Sequence, residues 1–359
     1  MRALVAIALL TIAAPGRAGN APVRPPERLS ETGLYAPGGA LVVAPENRPY
    51  APQYPLWTDG ASKARWIHLP AGTAIDTTDP DAWVFPVGTK LWKEFAFDGK
   101  KVETRLLWRV DGERWIFATY VWNDAGTDAV LAPNEGVPGA AEITPGKRHS
   151  IPSVFECTAC HASAGSVPLG FSTLQLSDDR DPNAIHAEPL ERGMVTLRTL
   201  VEERRLVPDR SAWVEDPPRI AAANPIERAV LGYLHGNCGH CHNPVGPLAP
   251  VGMVLSHPVT VEPGSAAPAL VTTWDRSGHW EIPGLSAGVS RRIAAGFPER
   301  STIVERMRSR KPSTRMPPLG TALPDRDAVA LLESWIRGAS GHVVRYQGPS
   351  APSAVQTTE

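Results

Sequence analysis

All four cysteines of the chain fall in two copies of one pentapeptide, Cys-x-x-Cys-His: Cys157-Thr158-Ala159-Cys160-His161 and Cys238-Gly239-His240-Cys241-His242. This is the pattern of c-type haem attachment, in which two cysteines add across the vinyl groups of one haem and the adjacent histidine binds its iron. A four-cysteine zinc site also shows two Cys-x-x-Cys pairs, but has no use for a histidine after each. A thioredoxin-like redox pair does not need that histidine either. The expected cofactors are two covalently attached haem c groups, on Cys157 and Cys160 and on Cys238 and Cys241, with His161 and His242 as proximal iron ligands. No cysteine remains for a disulfide.

Such attachment occurs outside the cytoplasm, and the N-terminus agrees. Arg2 supplies a positive start, residues 3–14 a short apolar run, and Gly16-Arg17-Ala18 the small residues that precede a signal cleavage. Residues 1–18 therefore read as a signal peptide and the expected location is the periplasm. The apolar run is too short to span a bilayer, and no other long apolar stretch follows. Net charge is −1 with no basic stripe, which argues against nucleic acid as a partner.

The expected fold class is α+β and multi-domain. Residues 19–145 read as a β-rich, tryptophan-containing, sandwich-like domain. Its candidate strands are residues 90–97, 102–110 and 114–122, with Asp111-Gly112 as a two-residue hairpin turn. Trp108 and Trp115 are expected to pair across that hairpin. Residues 146–206 form a first haem-bearing segment, in which Pro145 and Pro152 break any helix leading into the motif. A proline-rich linker spans 207–223. Residues 224–340 read as an all-α unit. Asn224, Pro225 and Glu227 open a helix that runs into Cys238. A second amphipathic helix covers 325–337, with Gly232 and Tyr233 expected to pack against Trp335. The tail, 341–359, reads as disordered.

Residues 224–340 resemble a class I cytochrome c domain, through the helix before Cys238, the motif itself, Arg315-Met316-Pro317-Pro318 and the final helix with Trp335-Ile336. The resemblance implies His242 and Met316 as the two axial ligands. Met316 is preferred over Met253 and Met307 because Pro317-Pro318 hold the backbone extended. The first haem has no Met-Pro-Pro motif. Met194 is a candidate sixth ligand, His149, His186 and His235 are rivals, and an open position is the remaining alternative. The stretches Tyr54-Pro55-Leu56-Trp57-Thr58-Asp59-Gly60-Ala61, Phe85-Pro86-Val87-Gly88-Thr89, Glu103-Thr104-Arg105-Leu106 and Trp122-Asn123-Asp124-Ala125-Gly126-Thr127-Asp128-Ala129 resemble a bacterial family that joins such a β-rich segment to haem-c motifs. Some of its members resemble the cytochrome portion of quinoprotein sugar dehydrogenases.

The function expected first is electron transfer between a periplasmic dehydrogenase and a terminal oxidase or another cytochrome, with no catalytic residue of its own. The alternatives are a peroxidase-like dihaem enzyme with an open first haem, and a haem-linked binding module lined by Arg65, Lys90 and Asp124.

Overall fold

A computed structural model of the chain describes residues 23–262 and 265–338. The signal peptide and the tail lie outside the described residues. The chain is mixed α and β. Its strands are β1 (Arg48–Pro49), β2 (Ser62–His68), β3 (Ile75–Asp76), β4 (Lys90–Phe97), β5 (Lys100–Arg109), β6 (Trp115–Trp122), β7 (Ala129–Leu131), β8 (Val137–Thr144), β9 (Lys147–Ile151) and β10 (Leu206–Val207). Its helices are α1 (Val154–His161), α2 (Thr173–Leu176), α3 (Leu197–Glu202), α4 (Ala212–Glu215), α5 (Pro225–Asn237), α6 (Pro268–Thr273), α7 (Thr302–Arg308) and α8 (Arg326–Gly338).

One six-stranded sheet, ordered β1-β2-β4-β5-β6-β7, organises the first part of the chain, and every pairing in it is antiparallel. One face buries Trp92, Leu106, Ala118, Tyr120 and Trp122 beneath Leu29, Leu34 and Tyr35. On the opposite face Ile67, Leu91, Leu107 and Trp115 meet Phe85, Phe171, Leu176, Leu197 and Leu200. Chain segments and short helices thus cover the sheet where a sandwich would place a second sheet; the other two sheets among the described residues are two-stranded. Both faces of β6 are apolar because both are covered.

Several local expectations change. The β5–β6 loop is longer than two residues. Val110 N donates to the Arg114 carbonyl, and the Asp111 carboxylate accepts from Glu113 N and Arg114 N, so aspartate shapes the turn through its side chain. Register sets Trp108 against Ile116 and Arg109 against Trp115. Trp108 and Trp115 therefore lie on opposite faces and do not pair, because a one-residue slip exchanges faces. Residues 207–223, expected as a linker, carry part of β10, which pairs with β3, as well as α4, and Ile220 is fully buried. β8 and β9 pair across residue 145.

The region from α5 to α8 has its own core of Val230, Leu231, Leu234, Ile293, Val304, Leu332, Trp335 and Ile336. Tyr54 enters this core from the N-terminal part of the chain. A Cβ on Gly232 would lie 2.0 Å from the Tyr54 ring, so the close approach expected for Trp335 belongs to Tyr54. Trp335 instead donates its indole N–H to Glu227 at 3.3 Å.

Candidate functional site

The first motif is itself helical, while no helix leads into it across Pro145 and Pro152: β9 occupies that stretch and α1 opens only at Val154. Pro152 lies outside α1, and Ser153 caps it. Ser153 Oγ accepts from Glu156 N at 3.1 Å, and Glu156 Oε2 accepts from Ser153 N at 2.9 Å, a reciprocal capping box. α1 places Cys157, Cys160 and His161 against β6. The His161 ring is 5.4 Å from that of Phe117, and its Nδ1 lies 2.6 Å from the Val167 carbonyl. A carbonyl only accepts, so Nδ1 carries the proton and Nε2 keeps its lone pair, the arrangement of a neutral metal-ligating histidine. Burial pushes the His161 pKa down to about 4, against the smaller opposing pull of the Val167 carbonyl.

The second motif follows α5, which is capped by Asn224 Oδ1 accepting from Glu227 N at 3.0 Å. Past Asn237 the chain closes on itself: Cys238 N and Gly239 N both donate to the Leu234 carbonyl, and His242 N donates to that of Cys238. Gly239 is required here, since a Cβ would lie 2.7 Å from the His235 carbonyl.

The fold brings the two motifs together. One ligand atom each from Cys160, His240 and Cys241 lies within 4.8 Å of the others. Asn243 Nδ2 donates to the Ser163 carbonyl at 2.8 Å, pinning the loop after the second motif to the end of α1. A Cβ on Gly246 would lie 2.6 Å from the same carbonyl. A hydrogen bond to Cys241, with burial, pushes the Cys160 thiol up to about 12. Cys238 is raised to about 12 by burial alone. Neither is a free thiolate at neutral pH.

Beside the second motif lies a cavity of about 130 Å³. Cys238, Cys241 and His242 form one part of its wall, and Met316, Pro317 and Pro318 another. Met253 and Met307 line it too. Met316 is fixed through its backbone: its N–H donates to the Arg306 carbonyl at 2.9 Å, and its carbonyl accepts from Arg310 Nη2 at 3.0 Å. Burial lowers the pKa of His242. Arg306 and Arg310 also line the cavity, and the Nε atom of Arg310 is buried without a hydrogen-bond partner. This donor set fits a haem: two thiols and an imidazole on one wall, a thioether facing the same space, apolar lining, and guanidinium groups suited to carboxylates.

The other candidates are placed elsewhere. Met194 Sδ accepts from Glu191 N at 3.4 Å in a local turn. His186 Nε2 lies 3.0 Å from Asp325 and its ring 5.0 Å from that of Trp57, and both partners line the cavity beside the second motif. His235 Nδ1 accepts from His257 N at 3.0 Å. Arg65 pairs with Glu188 on one face of the sheet. Lys90 donates to the Thr32 carbonyl and covers the Trp108 ring on the opposite face, and Asp124 is exposed with Lys100. These last three do not form one site.

His149 belongs to a buried chain of charges that the sequence did not reveal. Its Nδ1 lies 3.4 Å from Asp59 and its Nε2 2.9 Å from Glu103, and Glu103 accepts from Arg105 at 2.6 and 3.0 Å. Asp59 also accepts from Ala322 N and Leu323 N, each at 2.8 Å, so it ties the sheet to the loop after Met316. The one signal available beforehand was Asp59-Gly60, which reads as a turn.

Comparison with protein-family models, with curated proteins and with solved structures finds no match to this chain. Among the described residues no helix is long and apolar enough to cross a membrane.

Proposed function

We propose that the chain is an exported dihaem c-type cytochrome that passes electrons between a periplasmic dehydrogenase and a respiratory acceptor. The observation that carries this reading is the meeting of the two Cys-x-x-Cys-His motifs, 77 residues apart in sequence, at Cys160 and Cys241. A haem on each motif would supply reversible one-electron chemistry at its iron. The protein's part is to hold the two attachment sites side by side, through Asn243 and Ser163, and to keep each proximal histidine neutral. Residues 224–340 would act in this reading as a cytochrome c domain, with His242 and Met316, which line the same cavity, as the residues that would hold the iron. A thioether ligand favours the ferrous state and raises the potential relative to a second histidine.

A bare metal ion held by Cys160, His240 and Cys241 is the competing reading, since those three atoms already cluster. It supplies three of the four ligands zinc prefers and leaves Cys157, Cys238, His161 and His242 without a role. Intact mass of protein purified from a host with a haem-attachment system decides. Two haem adducts are expected; a haem-free chain carrying zinc would refute the cytochrome reading. In the holoprotein, Met316→Ala should lower one of two reduction potentials and leave the other in place. Two unmoved potentials would reject Met316 as a ligand.

A further inference from the structure

Asp59 stands just before β2 with φ of 52°, and Gly60 follows at 81°, so the chain turns sharply there. Aspartate tolerates this left-handed conformation better than most side chains. The turn presents a buried carboxylate to partners on two sides. Oδ1 accepts from Ala322 N and Leu323 N, each at 2.8 Å, and Oδ2 lies 3.4 Å from His149 Nδ1. A carboxylate is costly to bury unless its oxygens are hydrogen-bonded, and these contacts satisfy it. Two residues earlier, Trp57 lines the cavity beside the second motif. Its backbone N–H donates to Asn237 Oδ1 at 2.7 Å and its indole N–H to the Leu323 carbonyl at 3.4 Å. Asn237 Nδ2 in turn donates to the Pro55 carbonyl at 3.1 Å. Residues 55–59 are therefore bonded to both walls of the cavity, to the Cys238 wall through Asn237 and to the Met316 wall through residues 322–323.

The path from Leu323 back to Met316 is short. Arg310 Nη1 donates to Thr321 Oγ1 at 3.0 Å and to the Leu323 carbonyl at 3.3 Å, while its Nη2 donates to the Met316 carbonyl at 3.0 Å. One guanidinium thus spans from the loop to the methionine. Residues 317–323 lie between α7 and α8, in neither helix nor strand. Irregular backbone of this kind is placed by the partners that its polar groups find. Asp59 supplies two of them. It also shares with Arg315 and residues 320–322 a polar cleft of about 210 Å³, so open space and not packed core adjoins the loop on that side.

We propose that Asp59 is a positioning residue for Met316: by holding Ala322 and Leu323 it fixes, through Arg310, how the methionine faces the second motif. This assignment rests on the dihaem reading above, with Met316 as a ligand. The second site is then completed by the N-terminal part of the chain and is not contained within residues 224–340. The carboxylate has two effects of opposite sign. Removing its negative charge alone favours an added electron and raises a nearby potential. Releasing a thioether ligand lowers the potential. The direction of the change therefore separates positioning from charge.

The experiment uses the holoprotein with Asp59→Gly, Asp59→Asn, Met316→Ala and the double variant Asp59→Gly with Met316→Ala. Glycine adopts the φ of residue 59 freely, so it removes the carboxylate without straining the turn. Asparagine tolerates the same conformation and keeps an oxygen acceptor for the two amides. The readouts are haem adducts by intact mass, the red charge-transfer band of ferric methionine-ligated haem, and a spectroelectrochemical titration. Asp59→Gly should keep both adducts and lose the band. One potential should fall by at least a tenfold change in the reduction equilibrium, about 59 mV for one electron, and the other should stay in place. Asp59→Asn should keep the band, and Asp59→Gly should add no further fall to that of Met316→Ala. A potential that rises or stays put in Asp59→Gly would overturn the assignment while leaving the dihaem reading intact. So would a further fall in the double variant, or loss of the band in Asp59→Asn as complete as in Asp59→Gly. If Asp59→Gly yields no folded protein, amide hydrogen exchange of the wild-type holoprotein decides: slow exchange is expected at Ala322 and Leu323, and fast exchange at both would overturn the assignment. Wild-type protein without haem adducts or without the band would overturn the underlying reading itself.

Discussion

Replacing Glu103 with leucine removes the group on which the buried charge chain turns. The Glu103 side chain is fully buried and accepts hydrogen bonds from Arg105 and His149. Burial alone would push its pKa up, but the Arg105 charge and the hydrogen bonds from His149 and Arg105 outweigh burial and hold it at about 2, against an ordinary 4.5. That displacement is worth about 3 kcal/mol at neutral pH. A second route gives a similar figure: deleting one partner of a buried ion pair costs about 3–5 kcal/mol, because the other charge is stranded. Glu103→Leu should therefore lose about 3–5 kcal/mol in urea unfolding at pH 7. Glu103→Leu with Arg105→Met should recover most of that, since well-packed apolar groups replace a buried pair at little cost. The sign with pH is fixed. A carboxyl with a depressed pKa contributes fully above its unfolded value and loses that contribution as pH falls. The gap between wild type and Glu103→Leu should close from pH 4.5 towards about 2. A gap that stays constant over this range, or a double variant as unstable as the single one, would refute the reasoning.

Other outcomes follow from the same contacts. Burial opposes protonation of His149, but hydrogen bonds to Asp59 and Glu103 raise its pKa above 6.5. Its contribution is complete below pH 6.5 and is lost as pH rises through the folded value, so His149→Phe should flatten stability against pH on that alkaline side. Gly232→Ala should destabilise by about 1–3 kcal/mol in thermal or urea unfolding, because its Cβ meets the Tyr54 ring; Gly232→Ala made together with Tyr54→Ala should cost less than the two single changes added. Ser153→Ala removes the cap of α1 and should cost about 1 kcal/mol, read by the same assay.

What sequence could reveal depended on how local the cause was. The strands about Lys90, Lys100 and Trp115, and helices α5 and α8, were legible because periodicity and caps lie within a few residues of each other. α1 was not foreseen because the Ser153/Glu156 box that opens it was overlooked; no helix crosses Pro145 and Pro152. The tryptophan pairing failed for a finer reason. Alternation shows which residues of one strand share a face, but not how two strands are offset, and the longer Asp111 turn moved the register by one.

The candidate site shows the same division more sharply. The proposed haem attachment is read from contiguous pentapeptides, so its cysteines and histidines could be named from sequence alone. The electrostatics around them are not contiguous. Arg65, Lys93 and Arg105 come from three strands, and only their register makes them neighbours. Asp59 reaches Ala322 across 263 residues and His149 across 90, and neither contact leaves a pattern in the chain. These long-range groups set the charge that each motif experiences. Two pentapeptides of one pattern are thereby given unlike surroundings: one meets a cationic sheet face, the other a cavity with a methionine on its wall. If each motif carries a haem, as proposed, that asymmetry would give the electron a preferred resting place and so a direction of travel, because axial ligation and local charge both tune a haem's potential. It arises on one side from the pairing of β2, β4 and β5 and on the other from the loop that carries Met316, and not from the motifs.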